Sequence, residues 1–152
     1  MNREVSLEMI LPEKCNKSET FISGRFRELL EIYSGRYEQD GFHPPWAGYF
    51  IISGSRVVGS CGFTGEPQNG RVEIAFWTFP RDQGVGVATE ACRQMVDIAQ
   101  REDASIIIAA ETNSDCDASA RVLEKNGFLN RGVVPDENNE SLWQWEYEKR
   151  CI

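Results

Sequence analysis

The stretch PRDQGVGVATEACRQM at residues 80–95 has two glycines between a predicted strand and a predicted helix. Glycine costs a helix about 1 kcal/mol relative to alanine. Gly84 and Gly86 therefore indicate either a backbone conformation closed to other residues or the close approach of a ligand. The N–H groups that begin a helix lack partners and lie at the positive end of its dipole, which suits them to binding a phosphate group. A tight turn without a ligand is the plainer alternative.

Two familiar phosphate-binding patterns do not fit this turn. A P-loop requires Lys followed by Ser or Thr after the second glycine, and neither follows here. The dinucleotide fingerprint would read Gly84, Gly86 and Thr89, with Glu111 as its acidic residue. However, four residues separate the strand from the first glycine, and an antiparallel meander precedes it. We therefore reject the dinucleotide pattern as well.

Hydrophobic periodicity predicts the elements that position the turn. Apolar residues recur at helical spacing over 84–102, and the continuous apolar run 105–112 is typical of a strand covered on both faces. The other predicted elements are strands 4–11, 46–53, 56–64, 71–79, 128–134 and 141–149, helices 18–33 and 117–127, and a loop over 34–47. The order predicts an α/β domain with a mixed, mostly antiparallel sheet of about seven strands and flanking helices. One parallel crossover joins strand 71–79 to strand 105–112.

The glycine turn resembles a known coenzyme A motif. The run Gln83-Gly84-Val85-Gly86-Val87-Ala88 is similar to the Q/R-x-x-G-x-G/A motif of the GNAT N-acetyltransferase superfamily, and its continuation ATEA resembles the ribosomal-protein alanine N-acetyltransferase branch. The motif could also be aligned with Arg81 as its first residue. We prefer the alignment that starts at Gln83, because Gln83 keeps the expected distance from the ATEA segment. The segment ASARVLEKNGF at 118–128 also resembles this branch, and the run Glu73-Ile74-Ala75 resembles the E-I-G/A pattern of the family. The resemblance is good over 46–134 and weak before 46.

The resemblance implies one GNAT-like acyl-CoA N-acyltransferase domain over residues 1–152, with acetyl-CoA as co-substrate. It implies that the sheet is splayed beside strand 71–79 and that the pantetheine arm lies in the split. The pyrophosphate would rest on the glycine turn. The residues that this assigns to the coenzyme are Phe76, Trp77, Thr78, Phe79, Gln83, Gly84, Val85, Gly86, Val87, Ala88, Thr89, Cys116 and Ser119.

Glu73 is the candidate general base. An alkylammonium with a pKa of about 10 must lose a proton before it can attack a thioester. Glu73 occupies the acidic position of the family pattern and shares a strand face with Ala75 and Trp77 if no bulge intervenes. The alternative is an exposed strand carboxylate paired with Arg71 or Arg56.

The chain departs from the family at two positions near the thiol. Leu123 stands where the family usually has a Tyr acid, and Cys116 stands where it usually has an Asn that contacts the coenzyme. Ser119 matches a serine that the ribosomal-protein branch places near the sulfur, or else it serves as a helix cap or helix-surface residue. Either a primary-amine N-acetyltransferase that uses direct attack or a non-catalytic acyl-CoA-binding sensor on the same fold is consistent with these departures.

The segment before residue 46 is expected to form the acceptor side. Tyr33, Tyr37, Phe42 and Trp46 would wall the acceptor pocket, or would simply cover the sheet edge. His43, in the sequence FHPPW, is interpreted as a loop residue. The chain has 24 acidic and 16 basic residues and a net charge of −8, which favours a cationic acceptor: a peptide N-terminus, a polyamine or an amino-sugar. The acidic residues of this segment, Glu28, Glu31, Glu38 and Asp40, are either part of that acceptor side or a solvated helix face.

Composition excludes several other classes of function. The negative charge argues against nucleic acid as a partner. No apolar run is long enough to span a membrane, and the first residues do not resemble a signal peptide. Five scattered cysteines without CxxC spacing argue against a zinc site or a disulfide framework, so we expect no metal and a reducing cytoplasm. Trp143, Trp145 and Tyr147 alternate on one strand face, which would be either core or the contact face of a homodimer.

Overall fold

The structure, a computed structural model, describes residues 5–11, 32–33, 35–54, 56–78, 86–113, 117–135 and 141–148. Its strands are β1 (Val5–Met9), β2 (Gly48–Ser53), β3 (Arg56–Phe63), β4 (Arg71–Thr78), β5 (Ile107–Asn113), β6 (Phe128–Pro135) and β7 (Ser141–Tyr147). The helices α1 (Val87–Glu102) and α2 (Asp117–Lys125) flank β5 in the chain. Helical residues 32–33 and 35–40, called here the N-terminal helical segment, precede β2.

The seven strands form one mixed sheet in the order β1-β2-β3-β4-β5-β7-β6. Only β4 and β5 pair in parallel, across the crossover that contains α1, and every other neighbouring pair is antiparallel. The predicted fold class is therefore confirmed. Both sequence patterns behind it hold: short turns join antiparallel neighbours, and a helix joins the parallel pair.

The main core lies between α1, α2 and one face of the sheet. The apolar stripe of α1, which includes Ala91, Cys92 and Met95, packs against β-strand residues of that face. Leu123 of α2 is fully buried in the same cluster. Trp143, Trp145 and Tyr147 also pack there, so of the two interpretations left open the structure places them in the core.

The opposite face of the sheet is called here the acceptor face. Its β2 residues Gly48 and Phe50 lie beneath the N-terminal helical segment, and Phe50 and Ile10 form a small second core with Tyr33 and Tyr37 packed against it. A Cβ atom on Gly48 would clash with the ring of Tyr33, so only glycine allows the helical segment to lie this close.

The prediction of a loop over residues 34–47 is wrong at residues 35–40, which are helical. Tyr37 supplies the stabilising contacts: its hydroxyl donates to the Ile10 carbonyl at 2.8 Å and accepts from the Gly48 N–H at 2.9 Å. Gly41, at φ 86°, then ends the segment, and its N–H donates to the Tyr37 carbonyl. Tertiary contacts thus stabilise a short helix that local propensity does not indicate.

Tyr49 makes the stability of the fold sensitive to alkaline pH. Its hydroxyl donates to the Pro45 carbonyl at 2.7 Å, and burial raises the pKa of Tyr49 to about 12. The unfolded chain ionises this phenol near pH 10 while the folded chain retains the proton. The free energy of unfolding should therefore be unaffected by Tyr49 below about pH 10 and fall as the pH rises towards 12. Urea denaturation between pH 9 and pH 12 measures this effect. The free energy of unfolding should fall less steeply with pH in Tyr49→Phe than in wild type, and an equal pH dependence in the two proteins would contradict the prediction.

Candidate functional site

A gap opens between β4 and β5 in the middle of the sheet. The two strands pair from Arg71/Ile107 to Ile74/Ala110. Among the described residues the pairing stops there, although β4 continues to Thr78 and β5 to Asn113. β3 stays paired to the other edge of β4 as far as Thr78. The sheet is therefore split on one side of β4, with its closed end at Ile74.

The strand register identifies the backbone groups that face the gap. The Thr64 N–H donates to the Glu73 carbonyl, so the backbone of Glu73 points towards β3. Since backbone groups alternate along a strand, those of Ala75 and Trp77 also point towards β3, and those of Phe76 and Thr78 point into the gap. No register shift interrupts the β3–β4 pairing. An extended ligand in the gap would meet the N–H and C=O groups of two residues.

Helix α1 begins beyond the end of β4, on the open side of the gap. Gly86 is its N-cap, with φ 84° and ψ 0°, a left-handed conformation that other residues rarely adopt. Among the described residues, no side chain caps this helix start and no atom lies within 4 Å of a Cβ atom placed on Gly86. By helix geometry the N–H groups of Val87, Ala88 and Thr89 have no acceptor within the helix. The helix start is thus open to an anion.

Glu73 lies at the closed end of the gap, on the acceptor face. Its neighbours on β4 alternate as predicted, because no bulge interrupts the strand: Ile74 is buried in the core, whereas Ala75 and Trp77 are exposed. Glu73 as a whole is half-buried. Within the described part of the chain, no hydrogen bond or ion pair engages its carboxylate. Arg71, which could have paired with it, donates instead to Glu146 on β7.

A row of small residues leads across the acceptor face to the gap. Gly48 on β2 pairs with Gly62 on β3, and Gly62 pairs with Ala75 on β4. The next row carries Ser60 opposite Trp77. Because cross-strand partners share a face, Gly62 and Ala75 form a floor of small residues beside the gap, and the Tyr33 ring covers Gly48 at the far end of the row.

Three of the four aromatic residues predicted for the acceptor side come together. The ring centroids of Tyr33 and Tyr37 are 6.4 Å apart, and those of Tyr37 and Phe42 are 5.0 Å apart. Trp46 does not join them, because it packs edge-on against Phe63 on the core face of the sheet.

Tyr33 connects the aromatic cluster to the row beside the gap. Burial raises the pKa of Tyr33, and a hydrogen bond with the Ser60 side chain partly opposes that shift. Ser60 is only 6% exposed and stands opposite Trp77, so the phenol reaches the row next to the gap.

One residue on the acceptor face, Glu111, was not predicted as a site residue. Glu111 directly follows the last paired residue of β5, on the same face as Ala109 and Glu73, which puts a second carboxylate beside the closed end. Trp77, which was predicted as a coenzyme contact, has a side chain on the same face that is 44% exposed. The sequence alone does not predict Glu111 as a site residue, because its position in an apolar run does not show which face of the sheet it occupies. The pairing of β5 with β4 is needed to place it beside Glu73.

Helix α2 carries Ser119 and is tied to the start of α1. Ser119 is half-buried in the first turn of α2 and has an interaction partner in the structure. At the other end of α2, the Asn126 side chain donates to the carbonyl of Thr89 at 3.1 Å and to that of Val122 at 2.9 Å. The two helices that border the gap are therefore linked by one asparagine. Five of the predicted coenzyme contacts lie outside the described residues: Phe79, Gln83, Gly84, Val85 and Cys116.

The two described cysteines are unsuited to nucleophilic chemistry. Cys61 and Cys92 are both buried in the core. Burial raises the pKa of Cys92 to about 12 and also raises that of Cys61. Both thiols stay protonated at neutral pH, so neither supplies the thiolate that an acyl-cysteine route requires.

Comparison with known families agrees with this architecture. A family model described as an acetyltransferase (GNAT) domain matches residues 8–129, which is most of the chain. The protein therefore belongs to the GNAT acetyltransferase family, and the resemblance found in the sequence is confirmed.

A curated relative matches part of the chain. It is the uncharacterized N-acetyltransferase YjdG of Bacillus subtilis (strain 168), which is 34% identical over 74 residues. The match covers 48% of this chain and 44% of YjdG, so the chain aligns with less than half the length of that relative.

Solved structures share the fold at low sequence identity. RimL, a ribosomal L7/L12 alpha-N-protein acetyltransferase in complex with coenzyme A, superposes with a TM-score of 0.70 at 14% identity, over 93% of this chain and 92% of RimL. A chimera of spermidine N-acetyltransferase SpeG from Vibrio cholerae and hSSAT gives a TM-score of 0.67 at 15% identity, over 94% of both chains. At these identities the likeness concerns the fold alone. None of the described helices is long and apolar enough to cross a membrane.

Proposed function

We propose that the chain is an acetyl-CoA-dependent N-acetyltransferase that acetylates a primary amine by direct attack. The observation that carries the proposal is the gap beside β4. Its open end has a helix start that no described side chain caps, and its closed end has a carboxylate without a partner among the described residues. These features suit an extended ligand that is anionic at one end and reactive at the other. Membership of the GNAT family supports the choice of acetyl-CoA.

The described residues fit coenzyme A as the ligand of the gap. The backbone groups of Phe76 and Thr78 would bind the pantetheine arm as a strand binds its neighbour. The N–H groups of Val87, Ala88 and Thr89 would hold the pyrophosphate. The contacts implied for Trp77, Phe79, Gln83, Gly84, Val85, Gly86, Cys116 and Ser119 are proposed with them. When bound, the coenzyme supplies an acetyl thioester.

Glu73 is proposed to take the proton from the acceptor ammonium. With the pyrophosphate at α1, the reactive end of the coenzyme lies towards Ile74, where the gap closes and where Glu73 stands on the acceptor face. Its carboxylate would accept one proton from the nitrogen, and the neutral amine would then attack. Ser119 is proposed to donate a hydrogen bond to the departing sulfur.

The acceptor side is proposed to lie over the row of small residues. Tyr33, Tyr37 and Phe42 would form one wall, and Trp77 would stand on the opposite side of the floor next to β4. Trp46 was assigned to this pocket by the sequence, and its packing against Phe63 supports a role in positioning the loop before β2 instead. Aromatic faces beside carboxylates suit a cation, so a peptide N-terminus, a polyamine or an amino-sugar is the proposed class of acceptor.

An assay of thiol release with a panel of amines tests the function. Acetyl-CoA and the purified protein should release free coenzyme A only when a suitable primary amine is present. A second candidate, a non-catalytic acyl-CoA sensor, is favoured by Leu123, which is fully buried and offers no hydroxyl where the family usually has a Tyr. Tight acetyl-CoA binding without thiol release for any amine would support the sensor.

Salt dependence tests the proposed charge of the acceptor. The net charge of −8 should draw an ammonium substrate to the acceptor face, so kcat/KM should fall as NaCl rises from about 20 mM to 500 mM. Screening shortens the reach of the field to about 8 Å at physiological salt. The control is CoA binding, measured at the same salt concentrations. A kcat/KM that does not respond to salt, or a preference for neutral or anionic acceptors, would refute the cationic assignment.

A further inference from the structure

An ion-pair network crosses the acceptor face below the closed end of the gap. The Arg71 guanidinium on β4 lies 2.5 Å from the Glu146 carboxylate on β7, and Arg131 Nε on β6 lies 3.3 Å from the second oxygen of that carboxylate. The Arg71 and Glu146 side chains are 30% and 27% exposed, so solvent screens the pair only in part. The network links three strands, and it passes over β5.

Arg71 has a nearer candidate partner that it does not use. Glu73 stands two residues further along β4 on the same face, at a spacing of about 6.7 Å, which an arginine side chain can span. Glu73, Ala109 and Glu146 form one row across β4, β5 and β7. Ala109 is small and fully buried, which leaves room for a long side chain to cross β5. Arg71 takes that route and pairs with Glu146 instead of Glu73.

We propose that Glu146 is a positioning residue for the reaction: by holding the Arg71 guanidinium over β5, it keeps that cation away from the Glu73 carboxylate. The inference rests on the proposed role of Glu73 as the base. An opposite charge within about 4–6 Å stabilises the ionised form of a carboxylate and weakens it as a proton acceptor. A salt bridge would also turn the carboxylate away from the acceptor nitrogen. Glu146 thus acts on the chemistry without touching the substrate.

Most of the other described charged groups on this face are acidic or already paired. Glu111 on β5 shares its face, and the paired position on β3 is Thr64, which is uncharged. Arg131 is engaged with Glu146. The N-terminal helical segment over β2 contributes exposed residues at its end, namely Arg36, Glu38 and Asp40. Among the described residues, Arg71 is the cation that shares a strand and a face with Glu73, so its release would affect Glu73 most directly.

The test measures Glu73 itself by ¹³C NMR of glutamate-labelled protein, in the presence of coenzyme A. In Glu146→Gln the freed Arg71 should pair with Glu73, and the titration midpoint of the Glu73 carboxyl should shift to lower pH by about one unit or more relative to wild type. The double variant Arg71→Gln/Glu146→Gln removes the cation and should reverse that shift. Asp97→Asn breaks the Arg101–Asp97 pair on the exposed side of α1 and should leave Glu73 unchanged.

Turnover provides a second readout. The acidic limb of the kcat profile should shift to lower pH in Glu146→Gln and return in the double variant. A folded Glu146→Gln protein whose Glu73 titrates as in wild type overturns the proposal. Failure of the proposed function would look different: Glu73→Gln would retain its kcat, while the NMR comparison would still report where Arg71 goes.

Discussion

Replacing Gly86 with glutamate should weaken coenzyme A binding by about 30-fold or more. Gly86 is the N-cap of α1, and no described atom lies within 4 Å of a Cβ atom placed there, so the new carboxylate would occupy the place proposed for the pyrophosphate. It would repel the anion and cancel an interaction with the helix start worth up to about 2 kcal/mol. Isothermal calorimetry with coenzyme A measures the effect.

The controls separate loss of the site from backbone strain. Gly86 has φ 84°, so any side chain there also strains the backbone. Gly70 has φ 74°, with no described atom within 4 Å of a Cβ atom placed there, and it precedes β4 at the end away from α1. Gly70→Glu therefore carries similar strain without reaching the site. Gly86→Asn tolerates positive φ and should retain more affinity than Gly86→Glu. Equal coenzyme A affinity in wild type and Gly86→Glu would show that the pyrophosphate does not bind at this helix start.

Glu73→Gln should lower kcat by about 10²–10⁴-fold, the usual contribution of a general base. The amide has nearly the same shape and cannot accept the proton, so coenzyme A affinity should be unchanged while the acidic limb of the pH–rate profile is altered. Steady-state kinetics between pH 5.5 and pH 9, alongside calorimetry, distinguish the two effects.

The matched comparison for Glu73→Gln is Asp97→Asn. It also converts one carboxylate to an amide, at an exposed site on α1. Its kcat should stay close to that of wild type. A loss of less than about threefold in Glu73→Gln, far below the general-base range, would make Glu73 an ordinary strand carboxylate.

Patterns local in sequence anticipated most of the fold. Each predicted strand has its counterpart within a few residues, because alternation, glycine turns and one helical crossover all favour the same sheet. The loop prediction failed at residues 35–40, where the stabilising groups are the Ile10 carbonyl and the Gly48 N–H, far away in sequence. No local window of sequence contains those contacts.

In the candidate site, too, features set by neighbouring residues could be predicted from the sequence, whereas contacts between distant residues could not. The strand phase of Glu73 and the need for glycine at residue 86 follow from local spacing. The partner of Arg71 does not, because Glu146 is 75 residues away and becomes a neighbour only through the order β4-β5-β7. Trp46 was grouped with Tyr33 and Tyr37 because it is close in sequence, yet the chain reverses between them and sends its ring to the other face of the sheet.

The split beside β4 also bears on aggregation. An unpaired strand edge is ordinarily a template on which another chain can add a strand, and proteins commonly protect such edges. The free edge of β4 lies inside the sheet, with β5 as the facing wall and the pairing at Ile74 closing one end. A β-sheet of a second molecule cannot approach it side-on, whereas a single thin extended chain can enter from the open end. The geometry that admits a slender ligand thus also protects a hydrogen-bonding edge from intermolecular β-pairing.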